Sequence, residues 1–178
     1  MQNPLIILGA PRSGTNMLRD LICQHPKFVT WNCDEINQIW RYGNYDKTDE
    51  LNTSNLNSKI KNYIIGSFKN FLNERSLHIV EKTCANTLRP EFINNIFPNS
   101  KYIFIYRNGY DCIVSAKKKK KRRNDYIYQL KKMRYSPISS FPYLIYEKFI
   151  KKSWGPRYND IDKDIIKLSD IEIVAKQW

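Results

Sequence analysis

The sequence predicts an α/β fold in which a central parallel sheet is flanked by helices. Three short apolar runs are each typical of a buried strand, and segments with helical spacing separate them. We expect the strands at Pro4–Leu8, Leu77–Glu81 and Lys101–Tyr106. This alternation favours parallel pairing through right-handed crossovers, and a helical C-terminal part is expected after the third strand.

The first strand leads through a glycine-containing loop into a helix that is predicted from Thr15 to His25. Pro26 is expected to end this helix, because proline cannot continue the hydrogen-bond ladder. Four apolar residues recur at helical spacing within it: Met17, Leu18, Leu21 and Ile22.

A polar, aromatic connection from Phe28 to Asn57 follows, and its length suggests a functional role. The next helix is predicted over Leu56–Asn73, where Ile60, Ile64 and Phe68 repeat at steps near four and continue to Phe71 or Leu72. We expect it to cross back over the sheet.

A short helix over Leu88–Ile96 separates the second and third strands, and Pro90 is tolerated in its first turn. Further helices are predicted near Pro142 and after Ser169, where Ser169 and Glu172 form a capping box. The sequence of 178 residues is expected to form one domain, 1–178. Because it stops at Trp178 inside a predicted helix, we expect its C-terminal end to be incomplete.

The chain carries a net charge of +13. Lysine, asparagine, isoleucine and tyrosine are enriched together, which codon bias explains as readily as a basic function. The run Lys117–Arg123 (KKKKKRR) stands apart. It is either a solvated surface or a patch that steers an anionic ligand, an acidic acceptor, nucleic acid or lipid. We do not expect nucleic acid or a membrane as partner.

The four cysteines form no C-x-x-C pair and do not cluster with histidine, so neither a disulfide framework nor a metal site is predicted. The apolar start lacks a basic flank and is too short for a signal peptide or a membrane span. We therefore expect a cytoplasmic protein with reduced thiols.

The loop after the first strand reads GAPRSGTN from Gly9 to Asn16. Its glycine spacing matches the phosphate loop G-x-x-x-x-G-K-[ST], which predicts a P-loop-type fold. Thr15 stands in place of the lysine, Asn16 stands in place of the magnesium ligand, and the cation of the loop is Arg12. An arginine fork suits phosphate or sulfate, so the loop predicts an anion site without metal. The alternative is an ordinary turn before a core helix.

A second anion site is predicted where the third strand ends. Arg107 and Ser115 can both donate to one anion at the start of the following helix. Ligands in such sheets bind at the carboxyl ends of the strands, so the first loop, Lys82 and Arg107 should converge. Two anion sites imply a ligand that is phosphorylated at two positions.

Several further motifs occur in order between residues 4 and 116. They are His25-Pro26, Asp34-Glu35, Glu81-Lys82-Thr83 with Asn86 and Arg89, Phe97-Pro98-Asn99-Ser100-Lys101, and Y-R-N-G-Y-D-C-I-V-S at 106–115. With the GAPRSGTN loop they resemble the sulfotransferases that use 3′-phosphoadenosine 5′-phosphosulfate (PAPS). The ordering is most similar to the protein-tyrosine sulfotransferase branch and its bacterial relatives, with a weaker similarity at Trp154–Tyr158.

The resemblance implies a binding site for each charged end of PAPS. Arg107 and Ser115 would bind the 3′ phosphate. The phosphosulfate would be bound by five consecutive residues: Arg12, Ser13, Gly14, Thr15 and Asn16.

The resemblance also implies the catalytic residues. Lys82, with Arg12, would stabilise charge as the sulfur–oxygen bond breaks. Glu35 matches the general base of the family, with Asp34 beside it as an alternative. His25 and His78 are weak candidates for that role. Glu35 can also be read as a surface or helix-capping carboxylate.

The predicted activity is in-line transfer of a sulfuryl group from PAPS to a hydroxyl acceptor, with a carboxylate base and without metal. The acceptor is a tyrosine, a carbohydrate or a small molecule. Two alternatives remain open: a P-loop nucleotide or nucleoside kinase, and an inactive, truncated nucleotide-binding remnant. The lysine missing from the loop counts against the kinase.

Overall fold

A computed structural model describes residues 3–120, 131, 133–143, 156–159 and 168–177. Of the sequence motifs, Trp154-Gly155 and Lys121–Arg123 lie outside these ranges. Residues 141–143 are helical, and the rest of the helix predicted near Pro142 also falls outside the described residues.

Four parallel strands form one sheet in the order β2-β3-β1-β4. Their bounds are β1 Leu5–Leu8, β2 Phe28–Val29, β3 His78–Lys82 and β4 Lys101–Phe104. The predicted α/β class and all three predicted strands are confirmed. The prediction of only three strands is wrong, because the two-residue β2 lies in the segment that the sequence predicts to be a connection. It pairs with β3 through Phe28–His78 and Val29–Ile79.

Helix bounds in the described residues are α1 Thr15–Ile22, α2 Asn37–Trp40, α3 Ser58–Leu72, α4 Pro90–Ile96, α5 Gly109–Lys120 and α6 Asp170–Gln177. Short 3₁₀ helices span Thr53–Asn55, Cys84–Leu88 and Ile138–Ser140. The predicted capping box precedes α6: the Ser169 backbone N–H donates to Glu172 Oε2 at 2.7 Å, and the Glu172 N–H donates to Ser169 Oγ at 3.4 Å.

Helix α3 supplies one side of the hydrophobic core. Its buried residues Ile60, Ile64, Phe68 and Leu72 recur at four-residue steps, as the sequence predicts. Phe68 contacts Trp40 and Phe97 at ring-centroid distances of 5.4 and 4.9 Å. Burial of these side chains is the main stabilisation of the layer over the sheet.

Helix α1 begins directly after the glycine loop and turns two of its apolar residues to solvent. Met17 is 74 % exposed and Leu21 is 59 % exposed, whereas Thr15 is buried. The spacing therefore predicts the helix and its start at Thr15 correctly, but the predicted end at His25 is wrong, because the helix ends at Ile22. Met17 and Leu21 do not face the core.

The sheet order brings the carboxyl ends of neighbouring strands to one edge. Strand β1 lies between β3 and β4, with Ile7 opposite Lys82 and Leu8 opposite Phe104. The chain leaves each of these strands at the edge where a ligand of an open α/β sheet binds. Across the described ranges, none of the helices has the length and apolar character needed to cross a membrane.

Candidate active site

Two residues of the loop after β1 have a backbone conformation that favours glycine. Gly14 has φ of 98° and immediately precedes α1, whose N-terminus has no side-chain cap. Arg12 also has a positive φ, 71°, a conformation that costs a non-glycine residue energy and recurs at functional sites. Unsatisfied N–H groups at an uncapped helix N-terminus suit an anion.

Gly9 opens the loop where no side chain fits. A Cβ on Gly9 would lie 2.7 Å from the carbonyl oxygen of Ile105 and 2.9 Å from Thr15 Cγ2. The Gly9 N–H donates to Thr87 Oγ1 at 3.0 Å. The loop is thus fixed against the residue that follows β4 on one side and against the segment after β3 on the other.

Arg12, Arg107 and Ser115 converge as the sequence predicts. Arg12 Nε donates to Ser115 Oγ at 3.1 Å. Arg107 Nη1 donates to the Arg12 carbonyl oxygen at 3.4 Å, and its Nε lies 3.7 Å from Asp111 Oδ2. Two guanidinium groups and one hydroxyl therefore lie together between the loop and α5.

Ser13 and Thr15 turn their hydroxyl groups towards buried thiols. Ser13 Oγ lies 3.7 Å from Cys112 Sγ, and Thr15 Oγ1 lies 3.9 Å from Cys84 Sγ. Both side chains are at most 5 % exposed. Asn16 is half-buried beside them in the first turn of α1.

Lys82 ends β3 between two carboxylates that come from the segment after β2. Its Nζ donates to Glu35 Oε1 at 2.9 Å and to Asp34 Oδ1 at 3.0 Å. The Lys82 side chain is 1 % exposed, compared with 20 % for Asp34 and 25 % for Glu35. The lysine is therefore much less accessible to solvent than the two carboxylates that it contacts.

The two carboxylates have different second partners. Asp34 also accepts from Arg19 Nη1 of α1 at 2.9 Å, and the same Nη1 donates to the Asp34 carbonyl oxygen at 3.1 Å. Glu35 Oε1 instead accepts from the backbone N–H of Cys84 at 3.2 Å.

A buried network supports this site from within the sheet. Glu81 is fully buried and accepts hydrogen bonds from Trp40 Nε1, Thr83 Oγ1 and Asn86 Nδ2 at 3.1, 2.6 and 2.6 Å. Thr83 Oγ1 also accepts from the Ile36 N–H at 3.3 Å, directly after the acidic pair. The strand that carries Lys82 is thereby joined to the segment that carries Glu35.

The ion pairs shift the titration of the site. Burial by itself lowers the pKa of the Lys82 ammonium, but the charges of Glu35 and Asp34 outweigh burial and raise that pKa. Burial raises the pKa of Asp34, yet Lys82 and Arg19 outweigh it and hold the pKa below its usual range. Lys82 and Asp34 are therefore charged at neutral pH.

The thiol beside this pair behaves differently. Burial, together with the nearby Glu35 carboxylate, raises the pKa of Cys84. It is therefore a neutral thiol at physiological pH rather than a nucleophile.

The arrangement can bind an anion, stabilise charge that develops on it and accept a proton. Cations and donors come from Arg12, Arg107 and Lys82, and the half-buried Glu35 places a carboxylate beside them. No group of three or more histidine, cysteine or acidic residues within the described part of the chain is arranged to hold a metal ion.

Two side chains at this site were not among the predicted site residues. Arg19 binds Asp34 and Thr87 binds the loop. Thr87 follows β3 at the same edge of the sheet as the predicted site residues, so its place after a predicted strand was a sequence signal that could have identified it. Arg19 lies one turn after Thr15, but its partner depends on β2, which the sequence did not reveal.

One comparison with known proteins gives a match. A family model described as "Sulfotransferase family" matches residues 4–137, which is more than half of the chain. No curated protein and no solved structure matches. The matched range contains the loop, the acidic pair, Lys82, Arg107 and Ser115.

Proposed function

The chain belongs to the sulfotransferase family, and we propose that it transfers a sulfuryl group from PAPS to a hydroxyl-bearing acceptor. Family membership supports sulfuryl transfer in general. The choice of donor, the residues and the mechanism rest on the geometry of the site and on the resemblance of its motifs to the PAPS-dependent enzymes. The acceptor class remains a tyrosine side chain, a carbohydrate or a small molecule.

The observation that carries the proposal is the contact between Lys82 and Glu35 at the carboxyl edge of the sheet, 2.9 Å apart. A cation for the leaving group and a base for the incoming hydroxyl are both needed in an in-line transfer. Lys82 and Glu35 supply these two groups next to a loop that is suited to an anion.

Donor binding uses the two anion sites. In the proposal, the backbone from Arg12 to Asn16 and the Arg12 guanidinium bind the phosphosulfate, while Arg107 and Ser115 bind the 3′ phosphate. Arg12 Nε lies 3.1 Å from Ser115 Oγ, so the two sites are contiguous. A 3′ phosphate would compete with the Asp111 carboxylate for Arg107, at an exposed position where exchanging partners costs little.

The chemical step needs no metal in this proposal. The acceptor oxygen forms a bond to sulfur while the bond from sulfur to the 5′-phosphate oxygen breaks. Glu35 takes the proton of the acceptor hydroxyl, and 3′,5′-adenosine diphosphate leaves with the electron pair of the broken bond. Lys82 donates to the oxygen on which that negative charge develops.

The test is transfer of ³⁵S from labelled PAPS in the presence of EDTA to a tyrosine peptide, a monosaccharide, phenol or water. We expect labelled product or sulfate together with stoichiometric 3′,5′-adenosine diphosphate, and at least about 100-fold less of both from Glu35→Gln. Absence of the diphosphate with all four acceptors would overturn the proposal. Transfer of ³²P from ATP with magnesium would do the same and would favour a kinase.

A further inference from the structure

We propose that Asp34 is a positioning residue that holds the Lys82 ammonium in place while Glu35 gains and loses a proton, and that Arg19 fixes Asp34 for this task. The inference rests on the proposed function, because it assigns Lys82 and Glu35 their roles in sulfuryl transfer. It answers a question that the sequence leaves open, namely which of two adjacent carboxylates is the base.

The contacts of the two carboxylates distinguish them. Asp34 Oδ1 accepts from two cations, Lys82 Nζ at 3.0 Å and Arg19 Nη1 at 2.9 Å. Glu35 Oε1 accepts from Lys82 Nζ at 2.9 Å and from the backbone N–H of Cys84 at 3.2 Å. A carboxylate that two cations hold in its ionised form is hard to protonate, so Asp34 is a poor proton acceptor and Glu35 is left for that role.

Lys82 needs a second carboxylate during turnover. Its side chain is 1 % exposed, and a buried charge that loses its counterion is strongly destabilised. When Glu35 takes the proton of the acceptor, it becomes neutral and no longer balances that charge. Asp34 remains ionised beside Lys82 and holds the ammonium in place.

Arg19 connects this arrangement to the loop that binds the donor. It belongs to α1, which begins directly after the loop, and it holds both the carboxylate and the carbonyl oxygen of Asp34. Its second carboxylate partner is Asp20, which is 63 % exposed and does not contact Lys82. Asp20→Asn is therefore a matched control for Asp34→Asn, because it also removes a carboxylate that pairs with Arg19.

Several other ionisable groups surround the pair. Arg19 and Asp20 approach from α1, Lys82 and Glu81 lie on β3, and Cys84 and Arg89 follow β3. Substitutions that remove one charge at a time show which of these groups controls the pKa of Glu35.

Two substitutions, Asp34→Asn and Arg19→Gln, should move the pKa of Glu35 in opposite directions. Asp34→Asn removes a neighbouring negative charge and leaves Lys82 to Glu35 alone, so the pKa of Glu35 falls. Arg19→Gln removes a positive charge, so the pKa values of Asp34 and Glu35 rise. The acid limb of the rate profile follows Glu35 in each case, and turnover falls roughly 10–100-fold as Lys82 loses its alignment.

The experiment is carboxyl ¹³C NMR titration of the full chain without ligand, alongside the pH profile of PAPS cleavage, for wild type, Asp34→Asn, Arg19→Gln, Arg19→Lys and Asp20→Asn. We expect opposite shifts of the Glu35 pKa in Asp34→Asn and Arg19→Gln. In Arg19→Lys we expect partial recovery of the wild-type pKa and turnover, and in Asp20→Asn we expect little change in either. Folding of each variant is checked by the dispersion of its amide spectrum.

A titration of Glu35 that stays in place in both folded variants would overturn the inference, because Asp34 and Arg19 would then only hold the fold. Loss of all turnover in Asp34→Asn with retained turnover in Glu35→Gln would also overturn it, since Asp34 would be the base. If the Glu35 pKa shifts in opposite directions in the two variants but the wild-type chain cleaves no PAPS, the charge linkage stands and the proposed function is refuted instead.

Discussion

Lys82 Nζ lies 2.9 Å from Glu35 Oε1, although 47 residues separate the two in the chain. The contact exists because β2 pairs in parallel with β3, so the segment that leaves β2 runs past the end of β3. Both residues are charged groups of limited exposure, and such pairs occur often at functional sites.

Glu35→Gln should bind the donor product normally and lose turnover. Glutamine keeps the size of the side chain and can still accept from Lys82 and the Cys84 N–H, but it cannot take a proton at neutral pH. We expect a fall in PAPS cleavage of about 100-fold or more, with the affinity for 3′,5′-adenosine diphosphate unchanged within about threefold. The exposed Glu91→Gln is the control, and full activity in Glu35→Gln would refute the assignment.

Lys82→Ala should destabilise the fold at neutral pH. It leaves Asp34 and Glu35 close together without their shared cation, a loss of about 3 kcal/mol in the free energy of unfolding. The loss should shrink below pH 4, because protonated carboxylates no longer repel each other. Urea denaturation at several pH values measures this, with the exposed Lys59→Ala as control. An equal loss at pH 3 and pH 7 would show that packing, not charge, is responsible.

Asp34→Asn should reduce the dependence of stability on pH. The pKa of Asp34 is depressed in the folded state, so its contribution is present above its unfolded pKa of about 3.9 and is lost as pH falls through the folded value. The substitution should cost about 2 kcal/mol at pH 7 and progressively less towards pH 2. Parallel stability curves for the two proteins would contradict this account.

Gly9→Ala should disrupt the loop, because its Cβ would meet backbone at 2.7 Å. We expect a loss of about 1–3 kcal/mol in stability and weaker nucleotide binding. Gly66→Ala is the matched control: it lies within α3 with nothing within 4 Å of the new Cβ, so it should stabilise by about 0.5–1 kcal/mol. Thermal unfolding with and without 3′,5′-adenosine diphosphate compares them, and similar effects of the two substitutions would refute the steric argument.

Arg107→Ala should weaken the bisphosphate selectively. One charge-assisted contact to phosphate is worth about 1.5–3 kcal/mol, so affinity for 3′,5′-adenosine diphosphate should fall about 10–100-fold. Affinity for adenosine 5′-phosphate should change by less than about threefold. Lys101→Ala, an exposed position at the start of β4, is the control. Equal losses for both nucleotides would place the 3′ site elsewhere.

The sequence carried the main features of the fold because buried strands and amphipathic helices leave clear patterns. The apolar runs located β1, β3 and β4, and the four-residue spacing located α3 with its buried face. The ends of those strands also predicted where Arg12, Lys82 and Arg107 would lie.

What the sequence could not reveal depends on one short strand. Phe28–Val29 is too brief to show any alternation, so the sequence predicts a connection where β2 lies. Without β2 the place of Asp34 and Glu35 beside Lys82 cannot be worked out from spacing. The contact from Arg19 to Asp34 follows from the same pairing and was therefore missed.

Isothermal titration calorimetry in EDTA tests the central claim most directly, namely that the loop and the start of α5 together bind a nucleotide with two separate phosphates and without metal. Wild-type protein should bind 3′,5′-adenosine diphosphate at least about tenfold more tightly than adenosine 5′-phosphate, since the second phosphate gains contacts from Arg107 and Ser115. Equal affinity for the two nucleotides, or binding of ATP that appears only when magnesium is added, would contradict it.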